Sequence, residues 1–203
     1  MFGKLAADAL GISDIGQIIK PQDYDKTDSD DYLMHEEGEK IYFLIKSKSD
    51  EYCFTNRALI HLDGNSAMSK KRLLKRYGYS KYHLQNVHLE TAGTVDLDIE
   101  IKFTLGDQKF SIDVNKKQLE SLKDLYKALV KISELQFENA QMLKYSQQSL
   151  STATEATTRN HSQQTALEQF QSLNEYSFGW LKSAHQNYVR KDYGDVYEKF
   201  INN

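Results

Sequence analysis

The chain has 203 residues, enough for one large domain or two small ones, and carries 26 basic and 29 acidic side chains for a net charge of -3. That balance argues against a general nucleic-acid binder, and the absence of any run of about 18 apolar residues leaves no transmembrane helix. The single cysteine, Cys53, excludes an intrachain disulfide framework and fits a reducing compartment, so a cytoplasmic protein is expected.

The first ten residues, MFGKLAADAL, can form a short amphipathic helix with Phe2, Leu5, Ala6 and Leu10 on neighbouring positions. Such a helix packs on its own protein or touches a membrane. One lysine is poor for anionic lipid, which favours the packed form and leaves membrane association open. The same lysine, an early aspartate and the lack of a clear cleavage site argue against a signal peptide. Gln22–Glu39 is acidic. A calcium loop counted from Asp28 would place Asp30 and Glu39 on ligand positions, but Tyr32 stands where a third oxygen is needed and Leu33 where the turn needs glycine. The segment reads as a solvated acidic connector.

Strands follow. Ile41–Ile45 is apolar on both faces, so it must be covered twice, by a core and by something else. Glu51–Thr55 and Ala58–Leu62 flank Asn56-Arg57, a turn that sets Cys53 opposite Ile60. Asp63-Gly64-Asn65 turns into Ala67–Tyr77, and Gln85–Thr91 is the next strand. Val95–Val114 is the best-specified stretch. Val95, Leu97, Ile99, Ile101, Phe103 and Leu105 alternate with polar residues, the period of a strand with one buried face. Gly106-Asp107 suits a two-residue type II′ hairpin loop. That loop pairs Phe103 with Phe110, Ile101 with Ile112 and Ile99 with Val114, at the cost of setting Glu100 against Asp113. Asn115 is then a candidate N-cap, with Gln118 completing a capping box. Leu119, Leu122, Leu125, Tyr126, Leu129 and Ile132 form the apolar stripe of a helix. Seven antiparallel strands and one closing helix describe a strongly bent sheet whose open end the helix plugs.

Two stretches, CFTNRALIHLDG (Cys53–Gly64) and VHLETAGTVDLDIEIKF (Val87–Phe103), resemble the bacterial pleckstrin homology (PH) domain family, over roughly Ile12–Ser133. The resemblance implies a mainly β plus α fold: a PH-like seven-stranded antiparallel barrel or double sheet capped by a C-terminal helix. It implies no activity, since fold is not function. In eukaryotic proteins of this fold the phosphoinositide site usually lies between the first two strands. Here that turn, Lys46–Asp50, holds two lysines and no arginine. A denser basic run is Lys70, Lys71, Arg72, Lys75, Arg76 and Lys81, with no acidic residue between them. It suggests an anionic-lipid or phosphate patch. The blander reading, favoured here, is a solvated strand edge paired with the acidic connector.

Beyond Ile132 the apolar stripe weakens, and Gln147–Gln164 is rich in Ser, Thr and Gln without Gly or Pro, which predicts a polar helix end and a turn near Arg159–His161. A second helix follows, with Ala166, Phe170, Leu173, Ser177, Leu181, Ala184 and Tyr188 at three- and four-residue spacing. Gly194 is expected to end it before a short Tyr197–Ile201 segment. Phe170, Tyr176, Phe178, Trp180, Tyr188, Tyr193, Tyr197 and Phe200 are more rings than two helices can bury between themselves. This tail resembles the YvbH-like oligomerisation region, a helical hairpin through which copies associate.

No histidine pairs with another His or with Cys at metal-binding spacing, no base adjoins Cys53, and no Gly-rich phosphate loop is present. The sequence therefore predicts no enzyme, no cofactor and no metal. The expected domains are residues 1–39, the N-terminal segment with the acidic connector; 40–135, the PH-like domain; and 136–203, the hairpin extension. The expected function is a self-associating scaffold. Its contacts would be Ile41, Phe43 and Ile45 on the barrel and Phe170, Tyr176, Phe178, Trp180 and Tyr188 on the tail. The alternatives are a peripheral membrane or anionic-ligand module using Lys70–Lys81, and an adaptor for another protein.

Overall fold

A computed structural model describes residues 15–64, 73–91, 98–158 and 165–201. Among the described residues, eight strands form two antiparallel sheets. β1 (Gln17–Ile18), β2 (Ile41–Lys46), β3 (Glu51–Thr55), β4 (Ala58–Asp63) and β5 (Leu73–Gly78) make a five-stranded sheet in that order. β6 (Leu84–Glu90), β7 (Asp98–Leu105) and β8 (Gln108–Asn115) make a three-stranded one. Three helices follow: α1 (Leu119–Thr158), α2 (Ala166–Tyr188) and α3 (Gly194–Ile201). The expected double sheet with a closing helix is present, with one short strand, β1, more than the seven read from the sequence.

The β7–β8 hairpin has the register that its alternation and its turn demand. Phe103 opposes Phe110, Ile101 opposes Ile112 and Ile99 opposes Val114. Gly106 has φ +63° and Asp107 is not left-handed, as a type II′ turn requires. Glu100 does face Asp113. Partial burial, then the charges of Glu100 and Asp98, push the Asp113 carboxyl above its ordinary value. Val95–Leu97 lie outside the described residues.

The inner face of the five-stranded sheet meets the hairpin through aromatic rings. Phe54 packs edge-on against Phe43 and Phe103, and Phe103 stacks on Phe110 at 5.0 Å. Leu122, Leu125, Ala128, Leu129 and Ile132 of α1 are fully buried, so the stripe read from the sequence is the plug. Asn115 caps the turn before α1 by accepting from Lys117 N at 2.9 Å. Gln118 does not close a capping box. Its amide brackets Ile18 instead, accepting from Ile18 N at 2.8 Å and donating to Ile18 O at 3.1 Å. Beside it the sheets join through a parallel bridge between Gly16 and Val114. A Cβ on Gly16 would stand 2.7 Å from both Asp113 O and Ile45 Cγ2, so only glycine allows that approach.

The connector departs from its expected solvated form. Residues 21–37 coil into three short 3-10 helices, and the stretch lies over the outer face of the sheet. Leu33 joins Leu44, Cys53 and Ile60 in a second apolar cluster, with Ile19, Tyr24 and Ile41 packed against it. Two buried carboxylates clamp the cover down. Glu51 accepts from Ser29 N at 2.9 Å and Ser29 Oγ at 2.7 Å and pairs with Lys46 Nζ. Glu39 accepts from Met34 N at 2.9 Å, from Thr55 Oγ1 at 2.6 Å, and from Arg76 Nη2 at 2.9 and 3.0 Å. The second cover that Ile41–Ile45 requires is thus supplied by the chain itself, and the acidic residues that looked solvated are partly internal anchors.

The compact units also differ from the expected domains. Residues 1–133 and 191–203 form one unit and 134–190 the other. Gly194 does not end α2; it opens α3, which docks on the first unit. Tyr197 stacks on Tyr42 at 5.3 Å and its hydroxyl meets that of Tyr79 at 2.7 Å. Tyr193 N donates to Asn56 O at 2.8 Å, and Asn56 Nδ2 to Asp192 Oδ2 at 2.6 Å. Burial, then the hydrogen bond and charge of Glu198, raise the Tyr42 phenol to about 12.

Candidate functional site

The hairpin unit runs from Glu134 in α1 through α2. Thr165 caps α2 with a full capping box, its Oγ1 accepting from Glu168 N at 3.3 Å while Glu168 returns to Thr165 N at 2.9 Å. The expected turn near Arg159–His161 lies outside the described residues. Within the unit, Trp180 Nε1 donates to Ser146 O at 3.2 Å, tying α2 to α1. The inner seam is thin: Leu173, Ser177 and Tyr188 are half-buried and Ala184 is buried, while Phe170 and Leu181, expected on that seam, are exposed.

What remains is an apolar surface without cover. Phe137, Tyr145, Phe170, Tyr176 and Phe178 are each between 56% and 68% exposed, with Met142, Leu167, Trp180 and Leu181 exposed besides. Tyr176 and Trp180 stack at 6.4 Å, one turn apart. Scattered exposed apolar residues are ordinary; so many on two helices are more than scatter accounts for. Four of the five expected tail contacts, Phe170, Tyr176, Phe178 and Trp180, stand on it, and Tyr188 is half-buried. The expected barrel contacts fare differently. Phe43 and Ile45 are buried within their own chain and Ile41 packs in the outer cluster. In the single chain Phe43 and Ile45 thus have almost no free surface, while Ile41 is half-buried. Tyr193 and Tyr197, two of the surplus rings, are buried against the barrel unit.

The basic run is divided. Lys70, Lys71 and Arg72 lie outside the described residues. Lys75 and Arg76 point to opposite faces of β5: Lys75 Nζ bonds Asp63 at 3.0 Å, and Arg76 bonds Glu39 on the outer face. Lys81 lies in the turn after β5, and with Arg76 it lines a cleft that also holds Arg57 and Lys191. No sequence signal pointed to Arg57 or Lys191, because only the paired turns and the returning C-terminal segment bring them there. Among the described residues, no group of three His, Cys, Asp or Glu side chains could hold a metal ion. No described helix is long and apolar enough to cross a membrane.

Comparison with known proteins places these features. The bacterial PH domain family model matches residues 9–133. The chain belongs to the bacterial PH domain family. A second family model, the YvbH-like oligomerisation region, matches residues 144–203. The bacterial PH domain chain is 59% identical over 204 residues to the uncharacterized protein YvbH of Bacillus subtilis (strain 168), covering 100% of both. It is 31% identical over 97 residues to the uncharacterized protein YjqA of the same organism, covering 47% of this chain and 76% of that one. A crystal structure of a PH-domain-containing bacterial protein from Exiguobacterium sibiricum 255-15 matches with TM-score 0.86 and 52% identity, over 93% of this chain and 100% of that one. The oligomerisation model spans α2, whose exposed rings the hairpin leaves bare, and also α3, which packs on the barrel unit.

Proposed function

We propose that this bacterial PH domain protein is a non-enzymatic, self-associating scaffold, and that copies meet through the exposed aromatic residues of the hairpin, with Phe170 and Phe178 toward one side of α2 and Tyr176 and Trp180 toward another. The observation that carries the reading is the exposure of Phe170, Tyr176 and Phe178, each about two-thirds accessible in the single chain. Burying a ring of that size stabilises by about 1.5–3 kcal/mol, so covering even the Phe170 and Phe178 side of α2 favours pairing. The match to a region described by its capacity for oligomerisation supports the same reading. The barrel contributes no contact through Phe43 or Ile45.

The test is mass in solution by light scattering at micromolar concentration. The wild type is expected to exceed the 23.5 kDa of one chain. Phe170→Ser with Phe178→Ser should reduce it to a monomer with an unchanged thermal midpoint for the barrel unit. A control lacking the hairpin must join residue 133 to 191 by a short linker, because ending the chain at Gln136 would also remove α3 from Tyr42 and Tyr79. A wild-type particle of one chain mass, or a double variant that assembles as well as wild type, overturns the proposal.

A further inference from the structure

A cleft of about 310 Å³ opens in the barrel unit where three segments converge. Arg57 comes from the β3–β4 turn, Arg76 from β5, Ser80, Lys81 and Tyr82 from the turn after β5, and Lys191 from the segment leading to α3. Backbone hydrogen bonds hold each segment in place. Arg57 N donates to Thr55 Oγ1 at 3.0 Å, Tyr79 N to Arg57 O at 2.9 Å, Lys81 N to Gly78 O at 3.0 Å, and Tyr193 N to Asn56 O at 2.8 Å. The cleft lies at the far end of β3 from the Lys46–Asp50 turn. Gly78 contributes no side chain to it, and a Cβ there would meet nothing within 4 Å.

The charge in the cleft is not balanced. Among the described residues, four cations line it and no carboxylate does. Glu37 pairs with Arg57 Nη1 at 3.0 Å and Glu39 with Arg76 Nη2 at 2.9 Å, which leaves a surplus of two positive charges. Lys81 and Lys191 are exposed and have no ion-pair partner among the described residues. Each guanidinium also retains hydrogen-bonding capacity. Arg57 Nε and Arg76 Nη1 are buried donors without an acceptor among the described residues. Preorganised cations, unspent guanidinium donors and two neighbouring hydroxyl side chains match a compact dianion with several acceptor oxygens.

We propose that this cleft binds a phosphate monoester. Lys81 and Lys191 supply the two unpaired charges, and the guanidinium groups of Arg57 and Arg76 line the cleft beside them. A monoester carries about -1.5 to -2 charges at neutral pH, which meets the surplus, and the cleft has room for part of the group it esterifies. A free phosphate monoester and one displayed on a lipid present the same group to the cleft.

The experiment is titration calorimetry of the full chain with inorganic phosphate and with glycerol 3-phosphate, alongside sedimentation with phosphatidylcholine vesicles carrying phosphatidic acid. At least one probe is expected to bind. Soluble binding without vesicle binding identifies a free phosphate ligand; vesicle binding that glycerol 3-phosphate competes away identifies the headgroup. Lys81→Gln with Lys191→Gln should weaken binding by about tenfold or more while leaving the thermal midpoint unchanged, since each lost charge-assisted bond is a strong one. Lys109→Gln on the β7–β8 hairpin should leave binding unchanged. Binding should also weaken toward pH of about 5, below the second phosphate ionisation near 6. No binding of any of the three probes, or binding that the double lysine variant retains in full, overturns the proposal.

Discussion

Glu39→Gln tests the idea that the acidic connector is held down by its own carboxylates. Glu39 is 1% exposed and accepts four hydrogen bonds, two of them from Arg76. A glutamine keeps an acceptor for Thr55 or Met34 but sets an amide N–H against the guanidinium. Two charge-assisted bonds at about 1.5–3 kcal/mol each would give about 3–6 kcal/mol. The Arg76 side chain is 29% exposed and can recover water, which cuts the net cost to about 2–3 kcal/mol. For a domain of roughly 150 residues that is a fall of about 5–10 °C in Tm, read by calorimetry, with a parallel loss in urea midpoint. The effect also has a pH signature. Burial alone would push Glu39 up, but the bonds from Arg76, Thr55 and Met34 outweigh it and hold the carboxyl below its ordinary value. A depressed folded pKa stabilises above the unfolded value of about 4.3, and that stability is lost as pH falls through the folded one. The gap between wild type and variant should therefore be full at neutral pH and close in acid, where Glu39 is protonated in both states. Equal midpoints at pH of about 7, or a gap that persists undiminished in acid, would refute the reasoning.

Tyr197→Phe removes one of two buried hydroxyls that meet at 2.7 Å and should cost about 1–3 kcal/mol, whereas the double change with Tyr79→Phe should cost less than the sum of the single ones; thermal denaturation of the four proteins measures the coupling. Gly106→Ala should destabilise by about 1–3 kcal/mol, because Gly106 sits at φ +63° and its new Cβ would stand 2.7 Å from Tyr82 Cδ1; an unchanged Tm would count against the type II′ turn. The Cys53 thiol, fully buried and pushed up by burial and then by the charge of Glu51, should resist a disulfide reagent in the native protein and react only as the sheet opens; immediate stoichiometric labelling would contradict the outer cluster. Thr165→Ala should remove about 1 kcal/mol from the start of α2, seen as faster hydrogen exchange at Glu168 N and its neighbours, with the barrel amides unaffected.

The barrel was legible where structure is local. Alternation and a two-residue loop set the β7–β8 register, and the Asn56-Arg57 turn set Cys53 against Ile60, because each depends on neighbours a few residues apart. The α1 stripe was legible for the same reason. The doubly apolar Ile41–Ile45 correctly announced a second cover, but not its source. Charge density made residues 22–39 look solvated, while Leu33, Ser29 and Glu39 decide the packing and are too sparse to form a periodic signal. Gln118 matched a capping box by spacing and was claimed instead by Ile18, a hundred residues away. The docking of Tyr193 and Tyr197 is of the same kind: their partners, Asn56, Tyr42 and Tyr79, lie more than a hundred residues earlier. The Thr165–Glu168 capping box was readable from spacing and marks where α2 begins. For the candidate site, a surplus of tail aromatics was visible in the composition, but which rings stay bare depends on which dock back.

The chain leaves the barrel unit after Ser133, whose Oγ donates to Leu84 O at 2.7 Å, and re-enters it at Lys191, which lines the cleft with Gly78, Ser80, Lys81 and Tyr82. An insertion flanked on both sides by segments of one host unit behaves as a cassette. Its length, sequence or stickiness can be exchanged without rewiring the host, and a host relieved of it keeps every strand and its closing helix.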